Sequence, residues 1–479
     1  MADHHLRIPG FLGLMQYGDG VNADARFCTE CENASSAEGS LGPVADCEHL
    51  GGDLPDPIET LARLHRRYHT TDQERDVLIA AAGGQLYWRL PAGEKWQRIP
   101  LPAELTAEEY QCSRFSCVSY EINPEGSSAP VDVLIMSNAK DGMLIVRGDD
   151  LTVTPVETPK KFGVIARHAE RIWGGGIEGE PDMLAYCAPY DPFDWQQNET
   201  YPEDGAGDVL QPSWDGDSFT ALASFGSQLM AFKRTRVWRV LGTNPGEYTF
   251  REQYGGGAPY PGTVAVDGTR ILMLGRDGVY AYDGESVSPF QQAFARDVFA
   301  RMNTSALEKA VACMWRGSYY CALPLDNSRV NNAVLIYSVA DNTWTLRTDV
   351  QVRAFLPCED ALYFTSAPGK LWRWRDEADH CPAMRWVGPW QDLNLKHTVK
   401  SGFTAYVTVV CAAPVTLRLC VETEKKCVTK TVAFTPGARQ RRIALPGSGR
   451  RFRFVVESPS GAPWRIEGGV QLEMEVDED

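Results

Sequence analysis

The chain has 479 residues, a formal net charge of −16 and a sequence pI of about 5.1. This length predicts two or three domains, and a hydrophobic fraction of 43% is sufficient for a folded core. The acidic balance argues against a general nucleic-acid coat, because phosphate binding needs a basic surface. No window approaches the ~18 apolar residues of a membrane-spanning helix, and the first ten residues lack a signal-peptide core.

Residues 1–55 are rich in Gly, Asp and Ala and have weak periodicity. They predict an extended N-terminal arm that lies on another surface, such as a neighbouring subunit. Cys28 and Cys31, together with Cys47 and His49, are four ligands of the kind that zinc prefers. The second half is not a standard zinc knuckle, and the 13 scattered cysteines are typical of reduced thiols in a cytosolic product. We predict no metal and no cofactor, with zinc at these residues as the alternative.

Residues 56–385 repeat one pattern, in which a β-branched or aromatic run is followed by a Gly-containing turn and a second such run. The spacing averages roughly 40–50 residues, which is the size of a four-stranded propeller blade. The sequence therefore predicts an all-β fold with a six- or seven-bladed β-propeller, and an irregular sandwich of hairpins is the alternative. The seven units are 77–88, 133–146, 171–186, 228–240, 270–282, 319–344 and 361–374.

Helical periodicity is scarce. Residues 57–68 fit either a short helix or an extended lead-in, whereas 290–303 and 305–311 have apolar positions three or four apart. The latter two segments predict a helical insertion between the fifth and sixth units.

Residues 386–479 alternate clearly between apolar and polar side chains. We predict a C-terminal β-sandwich of about 90 residues with turns at Pro436-Gly437 and Pro446-Gly447. Its strands are expected at 403–410, 415–419, 428–432, 442–445, 451–456 and 470–474.

No catalytic pattern stands out, and we predict that the protein is not an enzyme. The acidic loops 191–195 and 215–217 offer oxygen ligands for Ca²⁺, but they lack the spacing of a calcium loop, which favours turns capped by Asp. Residues 338–344 are weakly similar to the Asp-containing turn that closes a blade hairpin in sialidases. That turn is structural and not catalytic. The Arg-rich runs 439–442 and 450–453 fit solvated strand faces better than nucleic-acid contacts.

Several passages follow one another in a characteristic order over roughly residues 10–375. They are 13–33 leading to Gly39-Ser40-Leu41-Gly42-Pro43, 171–173 with 184–188 and Asp191-Pro192-Phe193-Asp194-Trp195, 219–232 with 237–242, Asp277-Gly278-Val279-Tyr280-Ala281-Tyr282-Asp283-Gly284, and 334–344. The order of these passages resembles the β-propeller hub, nozzle and stabilisation-type tail proteins of tailed bacteriophages.

This resemblance implies a virion structural protein, a tail hub, nozzle or connector-associated subunit that extends the DNA-exit channel and retains the packaged genome. Its expected partners are the portal, adaptor and other tail proteins, further copies of itself in a ring, and DNA that passes through without sequence readout. Its expected location is the virion tail, assembled in the host bacterial cytoplasm. The alternative is a carbohydrate-binding or glycan-hydrolysing propeller at a receptor-binding tail tip, and hydrolysis would need two carboxylates ~5–9 Å apart.

Overall fold

The computed structural model describes residues 2–18, 20–67, 75–102, 114–124, 129–211 and 216–477. Within these ranges the protein is an all-β propeller of seven blades, each with four antiparallel strands. From the innermost strand outward, blades 1 to 4 comprise Ile58–His65, Asp76–Ala82, Gln85–Arg89 and Gln97–Ile99; Ser116–Ile122, Val131–Asn138, Gly142–Arg147 and Val153–Val156; Val164–His168, Arg171–Gly175, Met183–Tyr186 and Gly207–Leu210; Ala221–Phe225, Gln228–Phe232, Val237–Leu241 and Thr249–Gln253.

Blades 5 to 7 complete the ring. They comprise Ala265–Val266, Ile271–Leu274, Val279–Tyr282 and Val287–Pro289; Val311–Trp315, Ser318–Leu323, Ala333–Ser338 and Thr343–Arg347; Ala354–Pro357, Leu362–Ser366, Lys370–Arg373 and Glu48–His49. The seven predicted units are the second and third strands of the seven blades, so the prediction of a propeller is confirmed.

The middle strands read as continuous apolar runs because adjacent blades cover both of their faces. Asp76–Ala82, for example, is buried at every position after the first. In the described residues, hydrophobic clusters fill the spaces between consecutive blades all the way around the ring. The last cluster joins Tyr363 and Leu371 of blade 7 to Ile58 and Leu78 of blade 1, and it closes the ring.

The N-terminal arm supplies the outermost strand of blade 7. Glu48–His49 pairs antiparallel with Lys370–Arg373, and the Leu50 amide donates to the Leu371 carbonyl at 3.0 Å. Segments from the two ends of the propeller sequence thus share one blade. For these residues, the surface on which the arm lies is blade 7 of the same chain, which provides their strand pairing.

The C-terminal sandwich contains all six predicted strands and two more, one from the arm. In sheet order, one layer is Ala2–Ile8, Trp464–Val476, Lys400–Cys411 and Gly437–Gly449, and the other is Met384–Val387, Phe452–Ser458, Val415–Thr423 and Cys427–Phe434.

Pro446-Gly447 is not a turn. It lies inside the strand Gly437–Gly449, at an irregularity of register opposite Gly402. Proline is tolerated at such a β-bulge because no ladder hydrogen bond from its nitrogen is needed there.

A nine-stranded sheet makes the propeller and the sandwich continuous. The arm strand Glu30–Glu32 pairs with Thr343–Arg347 of blade 6 on one side and with Met384–Val387 of the sandwich on the other. One hydrophobic cluster runs through blades 5 and 6, the arm and the sandwich. The junction is therefore a shared sheet with a shared core, not a flexible linker.

The remaining elements are short. The predicted helical insertion contains one α-helix, Arg296–Ala300, flanked by the 3₁₀ turns Gln292–Ala295 and Leu307–Lys309, whereas the helical alternative for 57–68 is wrong, since Ile58–His65 is a strand. None of the helices in the described ranges is long and apolar enough to cross a membrane. The other elements are the 3₁₀ turns Ala37–Gly39, Pro202–Asp204, Pro245–Glu247 and Pro261–Thr263 and the strand pair Ala34–Ser35 and Gly42–Pro43.

Candidate functional site

The four zinc candidates do not form one site. Cys28 and Cys31 are buried in the core that the arm shares with blade 6, and burial raises the pKa of the Cys28 thiol. Cys47 packs between blades 6 and 7, while the His49 ring lies 4.9 Å from that of Trp372. Among the described residues, no group of three or more His, Cys, Asp or Glu side chains could hold a metal ion.

The expectation of reduced thiols is wrong for one pair. Cys420 and Cys427, on adjacent strands of the sandwich, form a disulfide. The other ten described cysteines are free, and burial raises the pKa of Cys47 and of Cys117 to about 12. Thiols of this kind are protonated at neutral pH and are poor nucleophiles and poor metal ligands.

A groove of about 1010 Å³ lies between blades 4 and 5 and the insertion that precedes blade 6. Loops distant in sequence line it, namely the central turns of blades 4 and 5, the linker between these blades, and the insertion. Its lining residues are Arg234, Thr235, Gly255, Gly256, Gly257, Pro259, Tyr260, Gly275, Arg276, Asp277, Tyr280, Thr304, Ser305 and Glu308.

The groove combines cations, phenols and bare backbone. Burial raises the pKa of Tyr260 and of Tyr280, so both phenols are neutral donors, and the Tyr280 hydroxyl donates to Asp277 at 2.8 Å. A side chain at Gly257 would collide with backbone, because its Cβ would lie 2.4 Å from the Arg236 nitrogen. The lining contains two guanidinium groups, Arg234 and Arg276, and two carboxylates, Asp277 and Glu308, and this mixed arrangement suits a polyhydroxylated ligand.

A second surface is a long loop on blade 3. Residues 187–210, which we call the blade 3 lobe, comprise this loop and the outermost strand. The buried Arg171 supports the lobe from below, donating to the carbonyls of Cys187 at 2.7 Å and Gly205 at 2.6 Å and also to that of Glu203. Trp195 packs its ring 4.9 Å from that of Phe162. The lobe is thus a preorganised structure.

The outer surface of the lobe exposes both aromatic and acidic side chains. Tyr190 is 72% exposed, Tyr201 58% and Leu210 58%. The exposed acids are Asp191, Asp194, Glu199, Glu203, Asp204 and Asp208. As the sequence predicted, Asp191 and Asp194 cap turns, since each accepts a backbone amide two residues further on at 2.9 Å. In the other acidic loop, Asp215 lies outside the described residues.

A third surface is basic and belongs to the sandwich. Gly437–Gly449 and Cys427–Phe434 are the last strands of their respective sheets, and residues 437–442 are exposed on both faces. Their predicted role as a solvated strand is consistent with this exposure. We call the exposed cations of these strands and of the adjoining turn the basic edge: Lys425, Lys426, Lys430, Arg439, Arg441 and Arg442.

Comparisons with solved structures find weak resemblances. The computationally designed Ika8 protein has a TM-score of 0.39 at 9% identity and covers 76% of this chain and 99% of its own. BBS1N in complex with ARL6DN has a TM-score of 0.42 at 11% identity, covering 70% and 98%. The Neurospora crassa Pan2 WD40 domain has a TM-score of 0.40 at 10% identity, covering 70% and 97%. No family model and no curated protein matches the chain. These values carry no functional assignment.

Proposed function

We propose that the protein is a non-catalytic structural subunit of a phage tail, a hub, nozzle or connector-associated component. The observation that supports this role is the shared nine-stranded sheet, in which the arm strand Glu30–Glu32 joins propeller and sandwich. A subunit under pressure from packaged DNA must transmit force without hinging between its domains. Backbone pairing through the arm strand, together with the common hydrophobic core, provides that rigidity.

In this proposal several copies surround a channel below the portal and contact adaptor and tail proteins in the virion, after assembly in the bacterial cytoplasm. The net charge of −16 supports a channel wall that repels sliding DNA and limits its adhesion. DNA would then pass without sequence readout, because the protein would make no contact with base edges.

The decisive experiment is a gene deletion in the phage that encodes this chain. We expect particles that package DNA and then lose it, measured as genome that nuclease digests in purified particles, and we expect complementation to restore protection. Particles that lack the protein yet retain both a complete tail and a protected genome would contradict the proposal.

The groove favours carbohydrate binding as a second candidate function. Tyrosine rings can stack on sugar faces, and Arg234 and Arg276 can bind a carboxylate or sulfate. A glycan panel with wild-type protein and the Arg276→Ala variant tests this possibility. Binding that the variant loses would support a receptor-binding role, and glycan cleavage that Asp277→Asn abolishes would refute the non-catalytic proposal.

A further inference from the structure

Charge is strongly segregated along this chain. Residues 172–232 contain eleven Asp and Glu and no Lys or Arg, whereas residues 396–453 contain twelve Lys and Arg and two Glu. The first segment includes the blade 3 lobe and the second includes the basic edge. Two exposed surfaces of opposite charge are therefore built into one molecule.

The two surfaces belong to distant parts of the fold. The sandwich joins the ring at blade 6, and blade 3 is three blades away in a ring of seven, almost on the opposite side. A surface and its complement on opposite sides of a subunit produce head-to-tail association, which closes into a ring or extends as a filament.

We propose that the blade 3 lobe of one copy docks on the basic edge of a second copy. This inference rests on the proposed structural function and names the surfaces through which its subunits would meet. The lobe has six exposed acids and no Lys or Arg, and the basic edge has six exposed cations with one exposed acid, Glu424, in its turn.

The lobe has the composition of an interface. Among the described residues seven large hydrophobic side chains are exposed, and the four named Tyr190, Phe193, Tyr201 and Leu210 belong to it. Aromatic and arginine side chains are enriched in protein interfaces, and a guanidinium can stack on a tyrosine face while its charge meets a carboxylate. Because Arg171 already orders the lobe, docking would cost little conformational entropy.

The basic edge offers the complementary features. Residues 437–442 pair on one side with Lys400–Cys411 and have no strand on the other, in the described structure. Exposed edge strands are templates for pairing with another chain, and charged side chains restrict which chain is accepted. An acidic partner with its own edge strand, Gly207–Leu210, satisfies both requirements.

Charge reversal in the full-length protein tests the contact. The edge variant combines Arg439→Glu with Arg441→Glu, and the lobe variant combines Glu199→Lys with Asp208→Lys. A control variant reverses two exposed cations of blade 1, Lys95→Glu with Arg98→Glu. Sedimentation velocity across a concentration series gives the dissociation constant, and thermal melting confirms that every variant is folded.

We expect wild type and control to self-associate at about 50 mM salt and to dissociate at about 500 mM, because screening weakens an electrostatic contact. Each reversed variant alone should associate at least tenfold more weakly. An equimolar mixture of edge and lobe variants should recover association, because the unaltered lobe of the edge variant then meets the unaltered edge of the lobe variant, and the acidic edge meets the basic lobe.

Three outcomes would overturn the inference. The first is that wild-type protein stays monomeric throughout the concentration series. The second is that both reversed variants still form rings, and this result would leave the proposed structural function intact. The third is binding of a ~30-bp DNA duplex that the edge variant loses while self-association is unchanged, which would make the basic edge a nucleic-acid surface.

Discussion

Replacing the buried Arg347 with Met should lower the free energy of unfolding by about 2–4 kcal/mol, because the buried Ala45 carbonyl loses its donor and the Asp349 carboxylate, whose side chain is 19% exposed, loses its charged partner. The Arg347 side chain is 1% exposed and donates two hydrogen bonds of 2.7 Å to Asp349. It also donates to the Ala45 carbonyl of the arm at 2.9 Å, and its guanidinium carbon lies 4.4 Å from the ring centroid of Trp374. One cation therefore connects blade 6, the arm and blade 7.

Urea unfolding followed by tryptophan fluorescence measures this cost. The matched control is Arg316→Met, because Arg316 also pairs with an aspartate, Asp376, at 3.0 Å but is about half exposed. Its loss should cost less than about 1 kcal/mol. The double change Arg347→Met with Asp349→Leu should recover little of the stability, because the Asp349 carboxylate reaches solvent and the Ala45 carbonyl still lacks its donor. If Arg347→Met costs no more than Arg316→Met, the reasoning is refuted.

Three further predictions concern the core, the thiols and the lobe. Trp386→Ala should cost about 3–5 kcal/mol in urea unfolding, because this fully buried ring packs edge-on against Phe11 at 5.1 Å; a cost below ~1 kcal/mol would contradict the shared core. Stability should fall above pH 9, because burial raises the pKa of the fully buried Cys321 thiol to about 12 while the unfolded chain releases this proton earlier; this thiol alone contributes a slope near 1.4 kcal/mol per pH unit. The melting temperature of Cys321→Ala should therefore fall less steeply with pH than that of wild type, and equal slopes would count against this contribution. Arg171→Met should make residues 187–206 the first site of limited proteolysis, detected by mass spectrometry, and unchanged resistance would show that Arg171 does not hold the lobe.

The blades could be predicted because their signal is local. Val279–Tyr282, for instance, follows an Asp-Gly turn and a run of four fully buried apolar residues, so the hairpin is specified within a dozen positions. The six sandwich strands are equally local, since each alternates between core and solvent. Uneven linker lengths left the number of blades open, and packing of blade 7 against blade 1 settles it at seven.

The arm could not be placed in the same way. Its strands Glu30–Glu32 and Glu48–His49 are two or three residues long, too short for any periodicity to appear. Their pairing depends on partners more than 300 positions away in the sequence, among them Arg373 and Trp386. Weak periodicity was a correct observation, but it reflected short strands that complete other sheets.

The groove shows the same limit at the level of a site. Arg234, Tyr260, Arg276 and Thr304 come from four separate loops, and nothing in their individual contexts relates one to another. Packing of blades 4 and 5 with the insertion before blade 6 brings the loops together, so the chemistry of the groove is a property of the assembled fold. The blade 3 lobe could be predicted only in part. Its Asp-capped turns are local features of the sequence. Its support by Arg171 could not be predicted, because the acceptors are backbone carbonyls, which any residue would provide. Replacing Arg171, which no sequence motif singles out, should therefore alter the structure of the lobe more than replacing Asp191 or Asp194.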